Sequence, residues 1–102
     1  MPDFGNPFAG LAEKRKLTET ELIRAIRFSV TSEYEAIQLY MQLAESTDNK
    51  MAIAVLTAIA DEEIVHSGEF LKLLAVLAPN EEKLYADGAL EVEKMIKKSS
   101  KK

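Results

Sequence analysis

The sequence predicts an all-α protein: an antiparallel two-helix hairpin followed by a short C-terminal helix, half of a four-helix bundle that a second copy would complete. Three observations predict it. Two long stretches carry apolar residues in alternating steps of 3 and 4, the spacing of a helix that packs along one seam. Both seams are interrupted by ionisable residues at matching heights. Finally, 102 residues contain only three prolines and four glycines, with few β-branched runs.

The chain is taken as one domain over residues 18–98, with a flexible N-terminal arm over 1–17 and a disordered tail over 99–102. In the arm, Pro2, Gly5, Asn6, Pro7 and Gly10 oppose helix, although Phe4 and Phe8 can dock on a partner. Thr18 with Glu21 forms a capping box and starts the first helix. That helix runs to about Glu45 on the seam Ile23, Ile26, Val30, Glu33, Ile37, Tyr40, Ala44, with Leu22, Tyr34 and Met41 widening the stripe and Arg24 and Arg27 on solvated faces. Ser46–Asn49 make a short turn, with Asp48 as the expected cap of the second helix. This helix runs from about Asn49 to Ala78 on the seam Leu56, Ile59, Glu63, His66, Phe70, Leu73, Leu77. Pro79 and Asn80 end it, and Asn80 caps a third helix from Glu81 to about Lys98, with a looser stripe of Leu84, Leu90, Val92, Met95 and Ile96, weakened by Gly88.

Composition excludes several kinds of function. There is no cysteine, so disulfides, thiolate zinc sites, iron–sulfur clusters and cysteine nucleophiles are ruled out. A net charge of −4 argues against a nucleic-acid partner. No apolar run approaches the ~20 residues of a membrane span, so no membrane partner is expected. The N-terminus shows no basic region followed by an apolar core, and a cytoplasmic protein is expected.

The seam interruptions carry the chemistry. Glu63 and His66 stand three apart and share a face. Across a short loop, Glu33 lies about 15 residues before the turn and the pair about 15 to 18 after it, which at ~1.5 Å per residue makes them level. Unpaired carboxylates are costly where a helix packs, and Glu-x-x-His on one helix facing a single Glu on the next is the ligand set of a carboxylate-bridged di-iron bundle. One hairpin supplies half of that set, and a two-fold homodimer supplies the rest and places both metals at its axis. Carboxylates and imidazole suit iron and leave positions open for oxygen. Glu33 would hold one iron from the side, Glu63 and its symmetry mate would bridge the two, and His66 would bind through one nitrogen. Two Fe(II) ions each giving one electron make a two-electron reduction of oxygen accessible. Tyr40 either orients a ligand beside the site or simply packs.

Glu33-Tyr34-Glu35-Ala36-Ile37 with Tyr40, then Asp61-Glu62-Glu63-Ile64-Val65-His66, resembles the encapsulated ferritin-like proteins over about residues 18 to 98. The resemblance implies a ferritin-like four-helix bundle formed by dimerisation and a ferroxidase centre at Glu33, Glu63 and His66. It also implies a decameric ring of five dimers inside an encapsulin shell that stores the iron mineral. Members of the family also carry an acidic site on the ring's inner surface. Glu35 matches one of its residues, but Ser32 and Leu39 stand where an acid and an aromatic are familiar. Members usually carry a C-terminal encapsulation peptide or are fused to the shell protein. No Gly/Leu-rich segment follows the third helix within these 102 residues, as expected of a domain cut from a longer chain.

Other readings stand beside these. Glu62 and Asp61 face solvent or form a weak acidic funnel, and Glu35 is a surface residue or a secondary metal site. At the level of function, the alternatives to a ferroxidase are another di-metal bundle enzyme such as a peroxide reductase, or a structural cargo module in which metal only locks the dimer.

Overall fold

The computed structural model describes residues 15–100 and is helical as the seams require: α1 (Glu19–Glu45), α2 (Lys50–Leu77) and α3 (Pro79–Ser100). The first 14 residues of the expected arm and the last two of the tail lie outside the described residues.

α1 begins at the expected capping box. Glu21 N–H donates to Thr18 Oγ1 at 3.2 Å, while Thr18 N–H donates to Glu21 Oε1 at 2.9 Å. Arg15 adds a fork, its Nη1 and Nη2 each donating to one Glu21 oxygen at 2.7 Å. The guanidinium first, and the Thr18 amide after it, bring the Glu21 carboxyl from 4.5 down to about 2. α2 is capped by Asn49 rather than Asp48: Ala52 N–H donates to Asn49 Oδ1 at 2.9 Å. Both residues suit a cap, and the turn leaves Asn49 as the last extended residue before the helix. α3 starts at Pro79, not behind an Asn80 cap. Proline lacks the amide that a first helical position leaves unused, and its fixed φ fits a helix, so it opens α3 directly after Ala78. α3 also runs to Ser100, two residues past the expected limit at Lys98.

α1 and α2 pack antiparallel, but the line of closest approach on α2 is not the apolar seam read from sequence. It is Ala60, Ser67 and Leu74, spaced by sevens, with Ala60 2 % and Ser67 4 % exposed. Small side chains let the two backbones approach. Ser67 tolerates burial because its hydroxyl donates to the Glu63 carbonyl at 2.9 Å. Glu63, Phe70 and Leu77 flank this line and are half-buried, while His66 and Leu73 are exposed. On α1 the expected seam is the covered stripe, with Ile26 its most buried residue.

The frame is open. Its radius of gyration is 18.0 Å, against ~13 Å for a compact domain of this length. The extents are 47 × 45 × 25 Å. Among the described residues no large side chain is fully enclosed, and α3 has no buried residue. An ion pair sets the elbow of α3. Arg27, expected on a solvated face, forks onto Glu81 with Nε at 3.2 Å and Nη2 at 2.7 Å, and the Tyr85 hydroxyl donates to the same carboxylate. Residues 54 apart in sequence make this pair, which local patterning cannot foresee. No described helix is long and apolar enough to cross a membrane.

Two outcomes follow. Ala60→Leu, which overfills the α1–α2 contact, lowers the unfolding free energy by about 1–3 kcal/mol in denaturant titration. Glu21 has a depressed carboxyl pKa, so its support for α1 is complete above pH 4.5 and is lost as pH falls through about 2. Amide protection factors at the start of α1, exchange rates corrected for their intrinsic pH dependence, therefore fall across that window in the wild type and are low and unchanged across it in Glu21→Ala.

Candidate metal centre

The close approach of α1 and α2 brings Glu33, Glu63 and His66 into one group. Each helix presents its residues from the middle of its length, where the backbone is fully bonded and rigid. Ligand atoms of the three all lie within 4.8 Å of one another. His66 Nδ1 stands 3.7 Å from Glu33 Oε2 and 3.6 Å from Glu63 Oε2. These separations are too long for hydrogen bonds. They are the right size for a shared ion: at metal–ligand bonds of ~2.0–2.2 Å, ligands on one ion stand ~3 Å apart when cis and ~4.2 Å when trans.

The electrostatics point the same way. Glu33 Oε2 is buried, and no donor among the described residues reaches it. A buried carboxylate oxygen left without a partner costs free energy, and a cation between the three side chains would remove that cost. The donor set, two carboxylates and an imidazole, suits a first-row metal such as iron. The side chains of Glu33 and Glu63 are each 19 % exposed and that of His66 is 48 % exposed, so the group opens to one side of the hairpin. There a cavity of about 350 Å³ is lined by Glu33, His66, Glu69 and Phe70.

The remaining candidates stand apart. Tyr40, two turns along from Glu33, is half-buried on the same α1 stripe but outside the group of ligand atoms. Glu35 and Glu62 are exposed and also outside it. Glu69 was missed in the sequence. Its signal was its place one turn beyond His66, but it breaks no apolar seam and so looked like any solvated glutamate.

A profile of the rubrerythrin family matches residues 24–101. The encapsulin nanocompartment cargo protein EncC of Myxococcus xanthus is 42 % identical over 91 residues, covering 89 % of this chain and 68 % of that protein. A ferritin-like–encapsulin shell fusion protein of Pyrococcus furiosus is 33 % identical over 78 residues, 76 % of this chain but only 23 % of the fusion's length. The crystal structure of the encapsulated ferritin domain from Pyrococcus furiosus superposes with a TM-score of 0.79 at 31 % identity, covering 88 % of this chain and 91 % of that one. With hairpin, short third helix and sequence in agreement, the chain belongs to the rubrerythrin-type ferritin-like family, among the encapsulated ferritins.

Proposed function

We propose that the protein is a ferroxidase that oxidises Fe(II) to Fe(III) with oxygen at a di-iron centre shared by two copies, as cargo of an encapsulin nanocompartment in the cytoplasm. The observation that carries the reading is the buried, partnerless Glu33 oxygen standing beside Glu63 and His66 at metal-ligand separations. One protomer offers two carboxylates and one imidazole, half of a di-iron set. The other half would come from the same residues of a second copy across a two-fold axis, and the exposed side of His66 is where that copy would approach. The names of the relatives support the partner: one is encapsulin cargo and another is fused to its shell protein. A decameric ring of five dimers is the assembly that the family likeness favours.

In this reading Glu33, Glu63 and His66 hold the iron, and each Fe(II) oxidised gives one electron to oxygen. The carboxylates do two things. They neutralise the charge of the incoming cations, and they favour the more highly charged product ion, which drives the oxidation. His66 leaves room in the ligand shell for oxygen because imidazole fills only one position. Phe70 lines the cavity beside Glu33 and His66 and gives it an apolar wall. In this reading Tyr40, along the α1 stripe, would steady a ligand or pass an electron.

Wild-type protein oxidises Fe(II) faster than buffer, and Glu33→Ala, Glu63→Ala and His66→Ala each cut the rate by about tenfold or more, a barrier increase of at least ~1.4 kcal/mol. Wild-type turnover at the uncatalysed rate would end this reading. Turnover with hydrogen peroxide and not oxygen would make the protein a peroxide reductase. A metal-induced rise in native mass without turnover would make it a metal-locked structural module.

Stability gives a second readout. Glu33→Met removes the partnerless buried oxygen, so the metal-free variant is more stable than wild type by about 1 kcal/mol in denaturant titration. The wild type gains stability on adding Fe(II) without oxygen, ~2.7 kcal/mol at a hundredfold excess over Kd, and the variant does not.

A further inference from the structure

The end of the hairpin away from its loop has an open joint. The last turns of α2 and the first turns of α3 enclose a cavity of about 340 Å³, lined by Leu71, Leu74, Ala75, Tyr85 and Ala86 with Glu82 as its charged member. The wall is mostly hydrocarbon. Two of its large side chains stay open to solvent, Leu71 at 42 % and Tyr85 at 54 % exposed. α3 has no buried residue, so this half-filled crook and the Arg27–Glu81 fork are what hold it.

The described chain starts beside this joint. Glu33 faces Glu63 and His66 across the hairpin. From there Glu19, at the start of α1, lies 14 residues back, and Leu77, at the end of α2, lies 11 to 14 residues on. At ~1.5 Å per residue the two helix ends are level, and packed helix axes stand ~8–10 Å apart. Beyond Arg15 the chain has 14 more residues toward its N-terminus. Gly5 and Pro7 oppose helix there, and at ~3.3–3.6 Å per extended residue Phe8 reaches ~25 Å from Arg15. That span is enough to enter the cavity.

The same segment has the composition of one that packs. Residues 4–12 carry no charge in a chain that is 29 % charged, and they hold Phe4, Phe8 and Leu11. The other uncharged runs of this length, 36–44 and 51–60, lie on the two hairpin helices.

We propose that the chain's own N-terminal segment closes the joint, with the Phe8 ring seated in the cavity between α2 and α3 and Leu11 behind it. Size permits this. An apolar cavity of ~150 Å³ holds a benzene molecule, so 340 Å³ takes a phenyl ring and the side chains next to it. Charge does not oppose it, because Asp3 and Glu13 fall outside the uncharged stretch and bring no like charge to Glu82. The tether selects this occupant over a separate partner. A segment on a short linker acts at an effective concentration of ~1 mM, far above that of a protein at micromolar concentration. Phe8 takes the place rather than Phe4 because its tether is shorter and Leu11 follows it. Filling the crook covers Leu71 and Tyr85 and braces α3 against α2. The inference does not rest on the metal centre.

The chain has no cysteine and no tryptophan, so either can be introduced as a unique probe. Ala9→Cys/Ala86→Cys sets one thiol beside Phe8 and one on the cavity wall. Ala9→Cys/Val76→Cys sets the second thiol at an exposed position next to Ala75 but outside the cavity lining. Full-length chains at micromolar concentration, kept metal-free with a chelator, are oxidised with glutathione disulfide. The 9–86 pair is expected to close within one chain at least tenfold faster than the 9–76 pair. Equal rates would overturn the proposal, since a segment that does not dock meets both thiols alike. A 9–86 product formed mainly between two chains would overturn it in favour of a second copy's segment. Phe8→Trp is expected to give blue-shifted emission protected from acrylamide. Adding Ala86→Glu, at an exposed helix position, is expected to abolish that shift with circular dichroism unchanged. Emission matching the urea-unfolded chain, or a blue shift that Ala86→Glu leaves untouched, would also overturn the proposal. Because metal is absent throughout, failure here leaves the ferroxidase reading intact, and failure of that reading leaves this one intact.

Discussion

The close approach of α1 and α2 along Ala60, Ser67 and Leu74 is the constraint on which the rest of the structure depends. It sets two backbones near enough for a carboxylate on one helix to face a carboxylate and an imidazole on the other. A longer residue at Ala60 would push the helices apart and widen the gaps from His66 Nδ1, now 3.6 and 3.7 Å. Ser67 shows how tightly this line is used. A hydroxyl is accepted in the most covered row because it folds back onto the Glu63 carbonyl, the helix turn that presents the site. Packing and site are thus one piece of engineering.

Holding acids at such a place is costly, and the protein does not hide it. Glu33 Oε2 is buried with no donor among the described residues, where a leucine would serve the fold better. Structure built for packing alone removes such groups, and structure built for a ligand keeps them. The contrast with Glu21 is instructive. That carboxylate is surrounded by Arg15 and the Thr18 amide, fully served, and works as a helix start. Two glutamates on one helix, one satisfied locally and one left waiting, mark the difference between scaffold and site.

Much of this could be read from the sequence, and what could be read was local. Thr18 and Glu21 announce the start of α1 because a capping box closes within four residues. The alternating steps around Glu33 and around Glu63 and His66 report a helix face, and a short turn makes two heights comparable, so the level arrangement of the three was legible. Where two residues could serve equally, as Asp48 and Asn49 at the cap of α2, local chemistry could not choose. Nor could it see what only a folded chain creates. Ala60 and Ser67 are the contact line because they are small, and a search for large apolar residues passes over them. Arg27 and Glu81 meet because the chain bends into α3 at Pro79, and Glu69 borders the cavity only because Phe70 and His66 frame it.

The elbow pair has a consequence for how the molecule responds to its surroundings. Arg27 and Glu81 sit at the surface, 48 % and 22 % exposed, where dissolved salt screens the attraction between charges over distances of ~10 Å at 0.1 M. The hairpin is held by hydrocarbon contact, which excluded anions such as sulfate reinforce. Rising sulfate concentration therefore loosens the hinge of the third helix while tightening the two helices behind it, so one solvent variable acts in opposite directions on the two halves of a single chain.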